Sequence, residues 1–293
     1  MASAAAWVRG MRPGTLAASI APVLVGLGVG HVEAGGLHVD RAILALVVAV
    51  TLQVGANFAN DYSDGVRGAD AHRKGPARLT GSGATSPGAV RAAAFAFFAV
   101  AALAGTALSW RSGHLWLVGV GALAIAAAWF YTGGARPYGY AGLGEVGVFT
   151  FFGLVAALGT AYTQEPSLPW TAWCGAAGTG VLACAILMAN NLRDIPTDRK
   201  AGKKTLAVRL GDRKSRRIYT AQMLVAFACV APCAVANPRV AAVFVLLIPT
   251  IHVIGPVQRG ARGADLIPVL KRTAQIDLGF GLLLGLALAL AAR

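Results

Sequence analysis

Nine apolar runs, each close to the length of one membrane-spanning helix, divide this chain of 293 residues. About 20 residues of helix cross the hydrocarbon core of a bilayer. The runs cover residues 15–30, 42–59, 92–110, 115–131, 143–162, 171–189, 218–236, 240–257 and 273–291. Backbone groups inside a bilayer must find their hydrogen bonds within the protein, so runs of this kind are helical. We therefore predict an all-α, polytopic membrane protein with about nine transmembrane helices, forming a single domain over residues 1–293.

The amino-acid composition excludes a soluble globular domain. Charged residues make up only 13% of the chain and hydrophobic residues 56%, whereas soluble domains carry about 25% charged residues. The first run contains Pro22 and several glycines and follows Arg9 and Arg12, so we interpret it as a spanning helix and not as a cleavable signal.

Basic residues are distributed very unevenly between the two sides of the predicted bundle. The N-terminus and the even-numbered connections carry 22 of the 26 Lys and Arg residues, and the other side carries Arg41, Arg111, Arg239 and Arg293. Basic connections stay in the cytoplasm. This predicts a multi-pass protein of the inner (plasma) membrane. The net charge of +14 is explained by the lipid bilayer and a polyanionic substrate, without nucleic acid.

Carboxylates are concentrated in two short segments on the basic side. Residues 60–70 and 190–198 hold five of the twelve acidic residues, and each segment directly follows an apolar run. If these segments are helical, spacings of three and four place the acids of each segment on one helix face. Such clusters repel unless a cation lies between them, and oxygen ligands without His or Cys favour Mg²⁺. Solvated carboxylates in polar loops are the alternative for either cluster alone.

A polar stripe descends into the membrane along the second predicted helix. Its members follow one another at offsets of four, three, one and three residues: Gln53, Asn57, Asn60, Asp61 and Asp64. Polar and acidic groups at this depth rarely face lipid. The stripe therefore predicts a cavity inside the bundle, with a polar helix–helix contact as the alternative.

Three further cytoplasmic segments border the acidic residues. The connection that begins near Asp61 is about thirty residues long, enough for a lid. Residues 199–211 form a second basic segment. We expect its Lys203 and Lys204, together with Arg193 just before it, to contact phosphate. Residues 131–140 bring hydroxyl groups and one cation, Arg136, to the same side. An interfacial aromatic belt would explain this last segment equally well.

These features together predict the chemistry of the substrate. Carboxylates with Mg²⁺, surrounded by Arg and Lys and backed by an apolar cavity, fit a diphosphate head on a lipid tail. A polyprenyl diphosphate is such a molecule. Metal coordination would neutralise the leaving diphosphate, and a dry cavity would protect the allylic cation from water.

The two acidic segments resemble the aspartate-rich motifs of UbiA-type intramembrane aromatic prenyltransferases. The matching sequences are NDYSDGVRGAD (60–70) and NNLRDIPTDRKAGKKTLAVRLG (190–211), and the resemblance extends over essentially the whole chain. It implies nine helices around a central cavity, with Tyr131 and Arg136 helping to bind diphosphate. The metal ligands that it implies are Asn60, Asp61, Asp64, Asp70, Asp194 and Asp198. Asp70 follows Asp64 by six positions, where the commonest family pattern has four.

The predicted site combines these assignments. We expect Asp61, Asp64, Asp194 and Asp198 to be catalytic. We expect Asn57, Arg67, Tyr131, Arg136, Asn190, Asn191, Arg193 and Lys203 to bind substrate.

The details of the motifs look most like the family branch that prenylates 1,4-dihydroxy-2-naphthoate. This resemblance implies transfer of a polyprenyl group with loss of CO₂ and diphosphate, at a site facing the cytoplasm. Prenylation of 4-hydroxybenzoate, or of a haem or chlorophyll ring, is the alternative within the family. A secondary transporter would place its ionisable groups near the midplane and show an internal repeat. Here the acids lie at helix ends on one side, and a purely structural membrane protein would not need two such clusters.

Overall fold

The computed structural model describes residues 2–69 and 78–291, and all regular secondary structure in these residues is helical. The α-helices in chain order are α1 (Ala4–Met11), α2 (Ala17–Ala34), α3 (Val39–Val66), α4 (Pro87–Arg111), α5 (Leu117–Phe130), α6 (Gly144–Val148), α7 (Ala156–Gln164), α8 (Trp170–Lys200), α9 (Leu206–Ala236), α10 (Leu247–Gln258) and α11 (Leu266–Ala289). A π-helix (Phe149–Val155) joins α6 to α7, and a 3₁₀ segment (Pro238–Leu246) leads into α10. Shorter 3₁₀ turns occur at Pro13–Thr15, Tyr138–Ala141 and Gly263–Asp265.

Eight helical stretches among the described residues are long and apolar enough to cross a membrane. They match eight of the nine predicted runs, and the remaining run forms the 14-residue α5. At about 1.5 Å per residue, α5 is shorter than a bilayer core of about 30 Å. The prediction of an all-α, multi-pass membrane protein is confirmed.

Both acidic motifs lie within helices, as the spacing argument assumed. Helix α3 continues past its apolar run to Val66, and α8 continues through Pro196 to Lys200. The connection from α3 to α4 is therefore residues 67–86, shorter than the loop of about thirty residues that we predicted. That prediction was wrong because the polar end of α3 remains helical.

The polar segment after the second motif is also more helical than predicted. Residues from Leu206 onward belong to α9, where we expected a cytoplasmic loop before a span beginning at residue 218. The Thr205 side chain caps this helix by accepting from the Val208 N–H at 3.4 Å. Gly211, with a φ of 77°, kinks it. A left-handed backbone conformation of this kind favours glycine.

Small residues allow the central helices to approach closely. Gly28 of α2 lies against the backbone of Gly285 in α11, and a Cβ added to Gly281 would come within 2.6 Å of the Ala21 Cα. Membrane helices commonly associate through such small-residue contacts. Helices α2, α7, α8, α9, α10 and α11 share the larger hydrophobic core, while α3 and α4 form a second core around Phe58 and Phe98.

A cavity of about 340 Å³ is lined by helices from both cores. The π-helix between α6 and α7 contributes Phe151, Phe152 and Val155 to its wall. π-helical segments are rare in proteins, and those that occur are often found at functional sites. The cavity thus extends from the two acidic helix ends into the apolar interior of the bundle.

Candidate active site

Most of the polar residues predicted from the sequence line this cavity. Those found in its wall are Asn57, Asn60, Asp64, Tyr131, Asn190, Asn191, Asp194, Asp198 and Lys203. Five predicted residues lie outside the wall: Asp61, Arg67, Arg136, Arg193 and Lys204. Asp70, the remaining predicted ligand, lies outside the described residues, as do residues 73–77 of the basic run that follows it.

The polar stripe of α3 faces the cavity, as predicted, at Gln53, Asn57, Asn60 and Asp64. Its deeper part also makes the helix contact that was the alternative interpretation. The Asn57 amide donates to the Met11 carbonyl at 2.8 Å and to the Thr15 hydroxyl at 3.1 Å. Gln53 donates to the Asn57 side chain at 3.2 Å. These bonds attach the N-terminal segment to α3 beside the cavity.

Asp64 has three charged or hydrogen-bonding side chains close to its carboxylate. Its side chain is buried, and Lys203 Nζ lies 2.9 Å from its Oδ2. The Arg78 guanidinium lies 3.9 Å from the same oxygen, and the Tyr140 hydroxyl donates a hydrogen bond to Oδ1. A buried carboxylate is stable only when it is paired and hydrogen-bonded in this way. Asp64 therefore remains an anion at the cavity wall.

Lys203 connects the two acidic motifs. Its ammonium group is 3.9 Å from Asp198 Oδ1 and 2.9 Å from Asp64 Oδ2. One aspartate from each motif thus lies beside the same lysine, and the Mg²⁺ site between the two clusters remains a prediction. The same ammonium group lies 4.7 Å from the centre of the Tyr140 ring, within cation–π range.

Residues 131–140 close the cavity beside Asp64. Burial raises the pKa of the Tyr140 phenol well above its usual range, and the charge of Asp64 raises it further. Tyr140 therefore remains protonated and can donate to Asp64. Burial also raises the pKa of Tyr138 to about 12. The Lys204 N–H donates to the Tyr140 carbonyl at 2.9 Å, which joins this segment to the end of the second motif.

The second motif holds its first aspartate through its own arginine. Arg193 donates to both oxygens of Asp194, at 2.8 and 2.6 Å, and to the Asn190 side chain at 2.7 Å. This bidentate geometry is a strong form of charge pairing. Arg193 is thereby directed to Asp194 and away from the cavity, although Asp194 and Asn190 themselves line it. Its assignment to phosphate remains a prediction.

Two further predicted cations are placed elsewhere. Arg67 donates to the carbonyls of Thr132 and Gly134 and lies 5.4 Å from the Tyr140 ring centre, so it supports the 131–140 segment from outside the cavity. Arg136 is exposed at the tip of that segment. The structure does not bring either residue to the cavity wall.

The oxygen donors at the cavity fit Mg²⁺ better than a metal that requires a complete protein cage. Among residues 2–69 and 78–291, no three His, Cys, Asp or Glu side chains are grouped to hold a metal ion. Mg²⁺ typically binds one or two carboxylates together with substrate phosphates and several waters. Asp64 and Asp198 both lie within 4 Å of the Lys203 ammonium group, and Asn60 adds an amide oxygen to the same wall.

The rest of the cavity is apolar and deep. Asp64 and Ala45 both line it from α3, and at about 1.5 Å per residue they are separated by about 28 Å along the helix. This is close to the thickness of a bilayer core, about 30 Å. A ligand with a polyanionic head and a long apolar tail matches both ends of such a cavity.

Sequence reasoning missed two residues that contact Asp64. Tyr140 and Arg78 were not among the predicted site residues, although both line the cavity. Tyr140 lies in the hydroxyl-rich segment that the sequence indicated, from which Tyr131 and Arg136 were selected, and of these two Tyr131 lines the cavity. Arg78 belongs to a basic run in which no pattern distinguishes one cation from the next.

Comparisons with known proteins show which family the chain belongs to. The sequence profile of the UbiA prenyltransferase family matches residues 19–264. The chain is 49% identical to the 1,4-dihydroxy-2-naphthoate octaprenyltransferase of Mycobacterium tuberculosis over 292 residues, covering 99% of this chain and 98% of the relative. It is 38% identical to the protein of the same name from Haemophilus influenzae, covering 96% and 95% of the two chains.

Solved structures share the fold at low sequence identity. A UbiA homologue from Aeropyrum pernix K1 superposes with a TM-score of 0.68 at 19% identity, covering 88% of this chain and 95% of the homologue. A UbiA homologue from Archaeoglobus fulgidus, bound to GPP and Mg²⁺, gives a TM-score of 0.65 at 15% identity, covering 97% and 99%.

Proposed function

The chain belongs to the UbiA prenyltransferase family, and from this premise we propose that it prenylates 1,4-dihydroxy-2-naphthoate. The reaction transfers a polyprenyl group from polyprenyl diphosphate, releases CO₂ and diphosphate, and gives demethylmenaquinol, a step of menaquinone biosynthesis. The observation that carries the proposal is the near-complete alignment with relatives of that activity, at up to 49% identity. The site supports it because its charged end opens onto an apolar cavity.

The charged end binds the diphosphate head of the donor. Lys203 and Arg78 are cations at the cavity wall, and each already faces the Asp64 carboxylate. Phosphate oxygens can replace that carboxylate as partners of both cations. The prenyl tail then occupies the apolar part of the cavity, where its burial removes hydrocarbon from water.

We propose Mg²⁺ as the cofactor, which Asp64 and Asp198 would hold together with Asn60. The Archaeoglobus fulgidus homologue of this fold is bound to Mg²⁺ with GPP. When bound, the ion supplies Lewis-acid neutralisation of the leaving diphosphate. Of the remaining predicted ligands, Asp194 also lines the cavity, Asp61 does not, and Asp70 lies outside the described residues.

The cavity walls determine what happens after the donor ionises. The C–O bond breaks with its electron pair going to diphosphate, which leaves an allylic cation beside apolar and aromatic side chains such as Phe151 and Phe152. These residues exclude water that would otherwise capture the cation. The naphthalene ring carbon that bears the carboxylate forms the new C–C bond. The carboxylate then leaves as CO₂, and its bonding electrons restore the aromatic ring.

We propose that this site faces the cytoplasm in the plasma membrane. The support is the distribution of basic residues, because 22 of 26 lie on the side that carries both acidic motifs. The test is cysteine labelling of intact cells with a membrane-impermeant reagent, in a variant without the native cysteines. A probe at the exposed position Ser82 should be silent, and one at the exposed position Pro166 should react. Labelling at position 82 without labelling at position 166 would contradict the proposed orientation.

The acceptor is tested with a pair of aromatic acids. Membranes containing the protein are incubated with farnesyl diphosphate, Mg²⁺ and either 1,4-dihydroxy-2-naphthoate or 4-hydroxybenzoate, and the lipid products are identified by mass spectrometry. Membranes with Asp64→Asn serve as the matched control. Prenylated product from the naphthoate is expected. Product from 4-hydroxybenzoate alone would contradict the proposed acceptor.

A further inference from the structure

Asp61, the first aspartate of the first motif, has both oxygens occupied by backbone groups. Oδ2 accepts the Leu79 N–H at 2.9 Å, and Oδ1 accepts the Thr80 N–H at 2.8 Å. The residue is 1% exposed and does not line the cavity. A carboxylate that receives two backbone N–H groups is well satisfied as an anion.

Two neighbouring contacts seat the same segment on α3. A Cβ added to Gly65 would lie 2.5 Å from the Thr80 Cβ and 3.1 Å from the Gly81 nitrogen, so glycine is required for this close approach. The Leu79 side chain is buried with Phe58 in the second hydrophobic core. Asp61, Gly65 and the core around Phe58 therefore fix residues 79–81 against one face of the helix.

The fixed segment carries Arg78 to the active site. Arg78 directly precedes Leu79, lines the cavity, and places its guanidinium 3.9 Å from Asp64 Oδ2. Asp61 and Asp64 are three positions apart, so they lie on nearly the same face of α3. The turn of helix that presents Asp64 to the cavity thus also holds the backbone that presents a cation to Asp64.

We propose that Asp61 is a positioning residue that places Arg78 for diphosphate binding, and that it is not a metal ligand. The sequence and the family resemblance had suggested a ligand. Its two oxygens instead accept from the Leu79 and Thr80 amides, and the side chain is buried without lining the cavity that holds Asp64 and Asp198. The inference rests on the proposed transferase function, because Arg78 acts on the diphosphate of the prenyl donor.

A positioning role and a ligand role predict different kinetics. The Asp61→Asn variant would keep one acceptor oxygen, but its NH₂ group would face a backbone N–H. One of the two hydrogen bonds is therefore lost. Loss of Arg78 from its place should raise KM for the donor by about tenfold or more, the scale of one charged hydrogen bond. The Mg²⁺ concentration for half-maximal activity should stay unchanged.

The first experiment uses purified protein and a double-mutant cycle. KM for farnesyl diphosphate and the Mg²⁺ dependence are measured for Asp61→Asn, Arg78→Ala and the double variant. The double variant should have the same KM as Arg78→Ala alone. Gly65→Ala, which pushes on Thr80 without changing any charge, should raise KM in the same way. Gly88→Ala is the control, because a Cβ there meets no atom within 4 Å.

The second experiment follows the segment itself, without substrate or metal. Hydrogen exchange at the amides of Leu79 and Thr80 should accelerate in Asp61→Asn and Gly65→Ala and remain slow in Arg78→Ala. If Asp61→Asn does not fold, Gly65→Ala provides both readouts. A raised Mg²⁺ requirement in Asp61→Asn, additive effects in the double variant, or unchanged exchange would overturn the inference. An unmodified protein that fails to prenylate the naphthoate would instead overturn the proposed function, while hydrogen exchange would still test the contact.

Discussion

The ammonium group of Lys203, just beyond the second acidic motif, lies 2.9 Å from Asp64 Oδ2 in the first motif. The two residues come from sequence segments far apart, and Asp198 lies 3.9 Å from the same ammonium group. This cation makes it possible for two carboxylates to approach each other in a buried site. The diphosphate and its Mg²⁺ would be accommodated at this ion pair. The diphosphate can replace Asp64 as the partner of Lys203, and Mg²⁺ can replace Lys203 as the partner of Asp64.

Removing either carboxylate should stop the reaction. Asp64→Asn and Asp198→Asn each delete one negative charge of the proposed Mg²⁺ site while preserving side-chain volume. We expect prenyl transfer to fall below detection in both variants, with the purified proteins still monodisperse by gel filtration. Excess EDTA should have the same effect on the unmodified protein, and added Mg²⁺ should restore activity. Prenyl transfer that persists in EDTA would contradict the proposed cofactor.

Lys203→Ala should weaken binding of the donor. The variant loses a cation that faces the cavity, so KM for farnesyl diphosphate should rise about tenfold or more. Lys200→Ala is the matched control, because Lys200 is an exposed lysine at the end of α8 that does not line the cavity. Equal effects of the two substitutions would show that only overall charge matters.

Tyr140→Phe should lower turnover by removing one donor to Asp64 while leaving the ring beneath Lys203. A reduction in kcat of about tenfold is expected for a hydrogen bond to a charged group. Burial and the charge of Asp64 raise the pKa of Tyr140, so the hydroxyl stays protonated in alkaline assays. The ratio of kcat for the unmodified protein to kcat for Tyr140→Phe should therefore stay constant from neutral pH to about pH 9. Tyr162→Phe, at the opposite end of the bundle, is the control.

Gly121→Leu should restrict the cavity to donors with shorter prenyl tails. Gly121 lines the cavity near the end of α5 that is remote from Asp64, and a Cβ there meets no atom within 4 Å. A leucine in the path of the tail should lower kcat/KM for octaprenyl diphosphate by about tenfold or more and spare geranyl diphosphate. Gly119→Leu makes the same change on the exposed face of α5. Parallel losses for both donors, or in both variants, would place the tail elsewhere.

Much of the architecture could be predicted because a bilayer imposes simple rules on a sequence. The length of the apolar runs located the helices, and their polar ends located both motifs on one side of the bundle. The spacing of Asp194 and Asp198 predicted that both acids share one helix face, and both line the same cavity. Such features depend on local sequence and on the environment, which is why they can be read without coordinates.

The partners of individual side chains depend on how distant segments meet, and no local pattern reveals them. The Asp61 oxygens bind the backbone at Leu79 and Thr80, and backbone amides carry no sequence signal. Arg67 likewise binds carbonyls of Thr132 and Gly134 in another connection. The sequence therefore identified the right motifs but could not separate the acids and bases that face the cavity from those that support it.

One site should couple prenyl transfer to loss of the carboxylate, and the stoichiometry of the two products measures this coupling. Purified protein is incubated with farnesyl diphosphate, Mg²⁺ and 1,4-dihydroxy-2-naphthoate labelled in its carboxyl carbon. Released CO₂ and prenylated lipid are counted in the same reaction. We expect this coupling to give equal amounts of the two products, and neither product in Asp64→Asn. Prenylated lipid that retains the labelled carboxylate, or CO₂ released without prenyl transfer, would contradict it.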